Sequence, residues 1–134
     1  MNTMQESKDL FQEFEFRTPT DFQITEVNGI PLPEEYLKFM HRHNGGEGCV
    51  GKNLYVHLYP LEKLTKINTD YEINTYFPDC CIFGTNLGGD LYGFDRNGHY
   101  FSIDSCSMDV EDMFFFGNTL MEFLQEYDTY MGEV

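Results

Sequence analysis

Leu32-Pro33-Glu34-Glu35-Tyr36-Leu37-Lys38-Phe39-Met40-His41-Arg42-His43-Asn44-Gly45-Gly46 reads as a helix punctuated at both ends. Pro33 suits the first helical turn, where its missing N–H costs nothing and its fixed φ is already helical. Glu34 and Glu35 place negative charge near the positive end of the helix dipole. Asn44-Gly45-Gly46 supplies residues that tolerate positive φ, as a helix end requires. Between these ends Leu32, Tyr36, Phe39, Met40 and His43 recur every three or four residues, so one stripe faces a core.

The rest of the chain supplies that core. Of its residues 41% are hydrophobic, with 13 Phe and 9 Tyr, which is too much large apolar surface for a disordered chain. At 134 residues one domain is expected over 1–134, with its core in about 14–130. The strands and helices read below alternate without a linker long enough to divide them.

Charge is the outlying property: 8 Lys and Arg against 23 Asp and Glu give a net −15. Every basic residue lies between Lys8 and Arg96, and none follows Asn97. Such a surface repels nucleic acid and anionic lipid heads, which need Lys and Arg to displace counterions. It attracts a basic protein and speeds the encounter. The same charge also serves solubility alone.

Met1 to Phe16 lacks the basic start and apolar run of a secretory signal, and no stretch approaches the roughly 20 apolar residues that cross a bilayer. Cys49, Cys80, Cys81 and Cys106 show no Cys-x-x-Cys spacing. Adjacent Cys80 and Cys81 would face opposite sides of a strand. Reduced thiols in a cytoplasmic protein are the expectation.

Along the chain, Met4 to Phe14 suggests a first helix with Leu10, Phe11 and Phe14 on one side. Thr20-Asp21 could cap a short helix through Glu26, although Phe22, Ile24 and Val27 fit strand spacing equally well, before a turn at Asn28-Gly29. Asn53 to Tyr59 alternates as a strand. Pro60 then opens a helix with Leu61, Leu64 and Ile67 at helical spacing and a break near Asn68 to Asp70. A further helical piece spans Tyr71 to Tyr76, ended by Pro78.

Cys80 to Phe83 reads as an inner strand. Asp90 to Arg96 and His99 to Asp104 flank Asn97-Gly98, the preferred pair of a two-residue type I′ hairpin, which would set Phe94 against Phe101 and Tyr92 against Ile103. Asp109 to Phe116 reads as a strand or extended rim. Thr119 and Glu122 form a capping box for a closing helix whose Leu120, Phe123, Leu124 and Tyr127 share a face. The expected class is α+β, an antiparallel sheet with helices packed on one face.

The order of these pieces resembles the SUKH superfamily of Smi/Knr-like domains. The matching residues are Leu32-Pro33 with Tyr36, Asn44-Gly45-Gly46, Tyr55 to Leu64 with Pro60 and Leu61, Phe83-Gly84, Gly88-Gly89, Phe94-Asp95, and Gly117-Asn118-Thr119 before Phe123-Leu124. They span about residues 14 to 125. The chain departs from the pattern at Asn28-Gly29, where a helix usually precedes Leu-Pro. The resemblance implies a non-catalytic binding module. Bacterial members act as immunity proteins that neutralise a polymorphic toxin, often a nuclease or deaminase; fungal relatives are regulatory hubs, so a scaffold that binds an endogenous protein is the alternative. A nuclease carries basic surface for its phosphate backbone, and the acidic charge of this chain suits that partner independently.

No catalytic constellation competes with this reading. His41 and His43 lie two apart on a helix and face different directions, so they cannot chelate as an i, i+4 pair would. No local signature surrounds any cysteine. Gly88-Gly89-Asp90 lacks the lysine and setting of a phosphate loop, and Asp95-Arg96-Asn97-Gly98 misplaces the glycine of a calcium loop. The expectation is therefore no metal, no cofactor, and a monomer or weak dimer.

Asp95 is expected to hold its own turn, and Asn44 to satisfy backbone groups where its helix ends. Asp104, Asp109, Glu111 and Asp112, with Met108 and Val110 among them and Met113 directly after, are the candidate partner contacts. Acids would steer while apolar side chains anchor. A solvated acidic loop would show the same sequence.

Overall fold

The structure, a computed structural model, describes residues 10–133. Its strands are β1 (Glu13–Phe16), β2 (Glu26–Val27), β3 (Ile30–Pro31), β4 (Gly46–Val50), β5 (Leu54–Leu58), β6 (Cys80–Thr85), β7 (Asp90–Asp95), β8 (Tyr100–Asp104) and β9 (Phe114–Phe115). The described helices of at least four residues are α1 (Glu34–His43), α2 (Leu64–Asp70), α3 (Ile73–Tyr76) and α4 (Leu120–Glu133). Seven strands form one antiparallel sheet in the order β1-β4-β5-β6-β7-β8-β9, and β2 and β3 pair separately. The fold is α+β.

Two helices meet over the middle of this sheet. Tyr36 of α1 sets its ring edge-on to Phe83 and Phe94, at centroid distances of 5.7 and 5.3 Å. Phe123 of α4 meets Phe83 and Tyr92 at 5.8 and 5.4 Å. Because both helices touch Phe83, they cover the same face. All of these rings are buried, and each contributes a few kcal/mol of burial plus the preference of aromatic edges for faces.

α1 ends as its sequence requires. Asn44 adopts the left-handed conformation with φ 49°, and its N–H bonds Met40 O at 2.6 Å. Pro33 lies one position earlier than expected: with ψ 141° it is the residue before the helix, not part of its first turn. Gly45 and Gly46 follow with positive φ, and a Cβ there would strike the carbonyls of Leu58 and Glu15. Glycine thus lets β4 enter between β1 and β5.

Several expectations are corrected. Residues 4–9 of the expected first helix lie outside the described residues. Phe14, placed on that helix, sits in β1 instead, because the alternation Glu13-Phe14-Glu15-Phe16 buries Phe14 and leaves both acids outside. No helix forms over residues 20–26; Val27 and Ile30 are buried as partners in the β2–β3 hairpin. That hairpin, at Asn28 (φ 52°) and Gly29 (φ 86°), is where a type I′ turn occurs.

Asn97-Gly98 does not form one. Only Gly98 has positive φ, and Asp95 N–H bonds His99 O, leaving a three-residue loop. The cause is Asp95, whose Oδ1 accepts N–H groups from Asn97 and His99, each at 2.9 Å. The register moves by one, so Phe94 faces Tyr100, Gly93 faces Phe101 and Tyr92 faces Ser102. The shift exposes no apolar side chain: Leu91 to Phe94 and Tyr100 to Ile103 are buried on both faces.

The break expected near Asn68 to Asp70 falls just after it, at Tyr71 and Glu72, between α2 and α3. Asn68 lies inside α2 on its buried stripe, after Leu61 and Leu64. Its Nδ2 donates to Leu64 O and Ile82 O at 2.9 Å, and its Oδ1 accepts from Ile82 N at 2.7 Å. Ile82 lies just past the last β5–β6 pair, Leu58 with Gly84. The side-chain amide continues the ladder where β5 has departed.

Candidate protein-binding surface

The segment from β8 to α4 carries acids, exposed aromatics and two clefts. At the end of β8, Asp104 Oδ1 accepts from Cys106 N at 2.8 Å and turns the chain. Met108 takes a left-handed φ of 48°. Asp109 Oδ1 accepts from Glu111 N at 2.9 Å, capping a short 3-10 turn at Val110–Asp112. Asp112 accepts a hydrogen bond from Ser107 Oγ. The candidate acids Asp104, Asp109, Glu111 and Asp112 are all exposed, and three of them also hold their own loop.

Met108 and Met113 are half-buried against the core. The apolar side chains that reach solvent here are Val110 (63%), Phe114 (57%) and Phe115 (53%). Val110 lies within the acidic segment already read from the sequence; for the two Phe a sequence signal existed in the run Phe114-Phe115-Phe116, since alternation cannot bury three successive residues of an outermost strand.

Phe114 lines a cleft of about 450 Å³ with Asp90, Asp104, Asp112, Tyr127 and Tyr130. Asp90 is held there by Asn86 Nδ2 at 3.2 Å and by Tyr127 OH at 3.4 Å. Burial, then the charge of Asp104, raises the Asp90 carboxyl above its ordinary value. Phe115 lines a second cleft of about 490 Å³ with His99, Asn118, Glu122 and Glu126.

Other residues fix this surface. Thr119 Oγ1 accepts from Glu122 N at 3.1 Å, the expected cap of α4, while the Glu122 carboxylate reaches Asn118 N at 2.9 Å. The sequence pointed to Glu35 only as a charge at the start of α1. Its carboxylate takes Tyr100 OH and, at 3.2 Å, Leu120 N, tying α1 and β8 to the start of α4. Burial raises its pKa, although both hydrogen bonds oppose the rise.

The signature residues have structural work. Leu32 and Tyr36 are buried. Asn44 Oδ1 accepts from Leu61 N, and its Nδ2 donates to Glu62, each at 2.9 Å, so it caps the turn after β5. In the Gly88-Gly89 loop, Asn86 Oδ1 accepts from Gly88 N and Asp90 N at 2.8 and 2.9 Å. This loop is a side-chain-mediated turn.

Reactive groups are scattered. His43 stacks on Phe16 at 4.0 Å, His57 lies 3.7 Å from Glu47, and His99 lies 3.3 Å from Asp95. Burial pushes the Cys80 thiol up to about 12, opposite to the shift that activates a nucleophile. Among the described residues no group of three or more His, Cys, Asp or Glu is placed to hold a metal ion. Among them also, no helix is long and apolar enough to cross a membrane.

The fold is an α+β domain whose β8–α4 end is acidic and carries exposed aromatic side chains. Residues 22–126 match the model of the SMI1 / KNR4 family (SUKH-1), and the chain belongs to that family. No curated protein matches the chain.

Proposed function

We propose that this protein is an immunity protein that binds and neutralises a cognate protein toxin, a basic nuclease domain, without catalysing a reaction. Family membership supports the reading at the level of the fold. The observation that carries it to a basic partner is local. Asn97 to Val134 contains no Lys or Arg, and this segment forms the acidic loop, β9 and α4. A surface of one sign with exposed aromatic side chains matches a basic interface through steering charges and apolar anchors. Asp104, Asp109, Glu111 and Asp112 act as the steering acids, and Phe114 and Phe115 as anchors beside the half-buried Met108 and Met113. The proposed setting is a single cytoplasmic domain over 1–134.

The test is co-expression with the C-terminal domain encoded by the neighbouring gene, scoring survival and co-purification. Rescue with a stable complex supports the reading. Survival without complex formation, or no rescue, overturns it.

A further inference from the structure

We propose that the outer edge of β9 accepts an extended, Arg- or Lys-bearing segment of the partner as an added strand. This rests on the reading that the chain binds a basic protein, and it specifies which segment is taken and how.

β9 is the last strand of the sheet, with β8 on one side and no strand on the other among the described residues. Phe116 N donates to Tyr100 O at 2.9 Å, so strand alternation turns the N–H and C=O of Phe115 away from β8. Native edges are commonly blunted by Lys, Pro or a covering element. This edge carries Phe114 and Phe115, both more than half exposed.

The two Phe side chains point to opposite faces, and each lines its own cleft. Phe114 sits beside Asp104 and Asp112, and Phe115 beside Glu122 and Glu126. An added strand also sends successive side chains to opposite faces. Basic residues in its sequence would lay their stems on the Phe rings and bring their heads to the carboxylates. Two outward backbone groups hold a peptide weakly, so these side-chain contacts supply the remaining affinity and the selectivity.

Charge decides the occupant. A second copy would bring another −15 chain, and the same acids, against this edge. A cationic segment finds complementary charge on both sides of it.

The probe is a heptapeptide in which adjacent pairs of Arg separate Val residues, so that both faces carry Arg, titrated into the full chain at low salt, beside a version N-methylated at the amides that would face β9. Strand addition requires those N–H groups, so methylation is expected to weaken binding by about tenfold or more. Phe115→Pro removes the outward N–H at a position where an edge strand tolerates proline, and should abolish binding. Phe115→Ala keeps the donor and should weaken binding only a few-fold. Hydrogen exchange should show protection at Phe115.

Equal affinity for both peptides, no binding of the unmethylated one, or unchanged binding by Phe115→Pro would each overturn the edge mode. If Phe115→Pro does not fold, the methylated peptide still decides. A toxin domain that co-purifies equally with parent and Phe115→Pro overturns only this mode. Failure of the toxin domain to bind the parent overturns the reading beneath it.

Discussion

The carboxamide of Asn68 bonds both backbone groups of Ile82, taking its C=O at 2.9 Å and its N–H at 2.7 Å. A side chain on a helix thus does for β6 what a neighbouring strand does elsewhere. Removing it leaves a buried donor and acceptor without partners, each costing about 1–3 kcal/mol. Asn68→Leu, which keeps the branching at Cγ but not the hydrogen-bonding groups, should therefore destabilise the protein by about 3 kcal/mol in urea unfolding. A loss under about 1 kcal/mol would show that the ladder does not need the amide.

Tyr36 gives the opposite case. Its ring packs on Phe83 and Phe94, yet its hydroxyl is buried without a hydrogen-bond partner. Tyr36→Phe keeps the ring and removes the orphaned group, so it should stabilise the fold by about 1 kcal/mol. Destabilisation in thermal melts would mean that the hydroxyl is satisfied in solution.

Glu35 predicts a pH dependence. Its folded pKa is raised, chiefly by burial, so the folded state binds the proton more tightly than the unfolded chain. Its stabilising contribution is present below the ordinary carboxylate value and is lost as pH rises through the raised one. As pH rises above the ordinary carboxylate value, stability of the parent should fall more steeply with pH than that of Glu35→Gln. Comparing slopes cancels His43, whose lowered pKa acts in the opposite direction in both proteins. Parallel slopes would contradict the assignment.

Steering by the acidic loop predicts a salt effect. Association with the toxin should slow as salt rises from about 0.05 to 0.5 M, because the screening length shrinks below about 8 Å. Replacing Asp109, Glu111 and Asp112 by Asn, Gln and Asn keeps the side-chain oxygens that cap the loop. It should therefore weaken binding with little change in melting temperature. Unaltered affinity would place the interface elsewhere.

The elements legible in the sequence were those whose local pattern and tertiary setting agree. α1 has both ends written in its own residues, and α4 announces itself through Thr119 and Glu122. Where two local preferences competed, the sequence misled. Asn97-Gly98 favours one turn by propensity, but the Asp95 carboxylate captures two N–H groups and enforces another. Asn68 looked like a helix breaker because its value depends on Ile82, fourteen residues away. Of the surface, the acids were readable from composition. The run Phe114-Phe115-Phe116 hints at exposed rings, but which of them reach solvent depends on β9 being outermost, and that is set by distant pairing.

The order of strands across the sheet has a kinetic consequence. From β6 to β9 each strand pairs with the next in the chain across a connection of four to nine residues, so these ladders close at small entropic cost. β1 alone must reach across β2, β3 and α1 to find β4. Substitutions at Phe94 or Tyr100 should therefore slow folding, whereas Phe14→Leu should chiefly speed unfolding in stopped-flow measurements. Those rates are what assembly of the β6–β9 meander before the docking of the N-terminal strand requires.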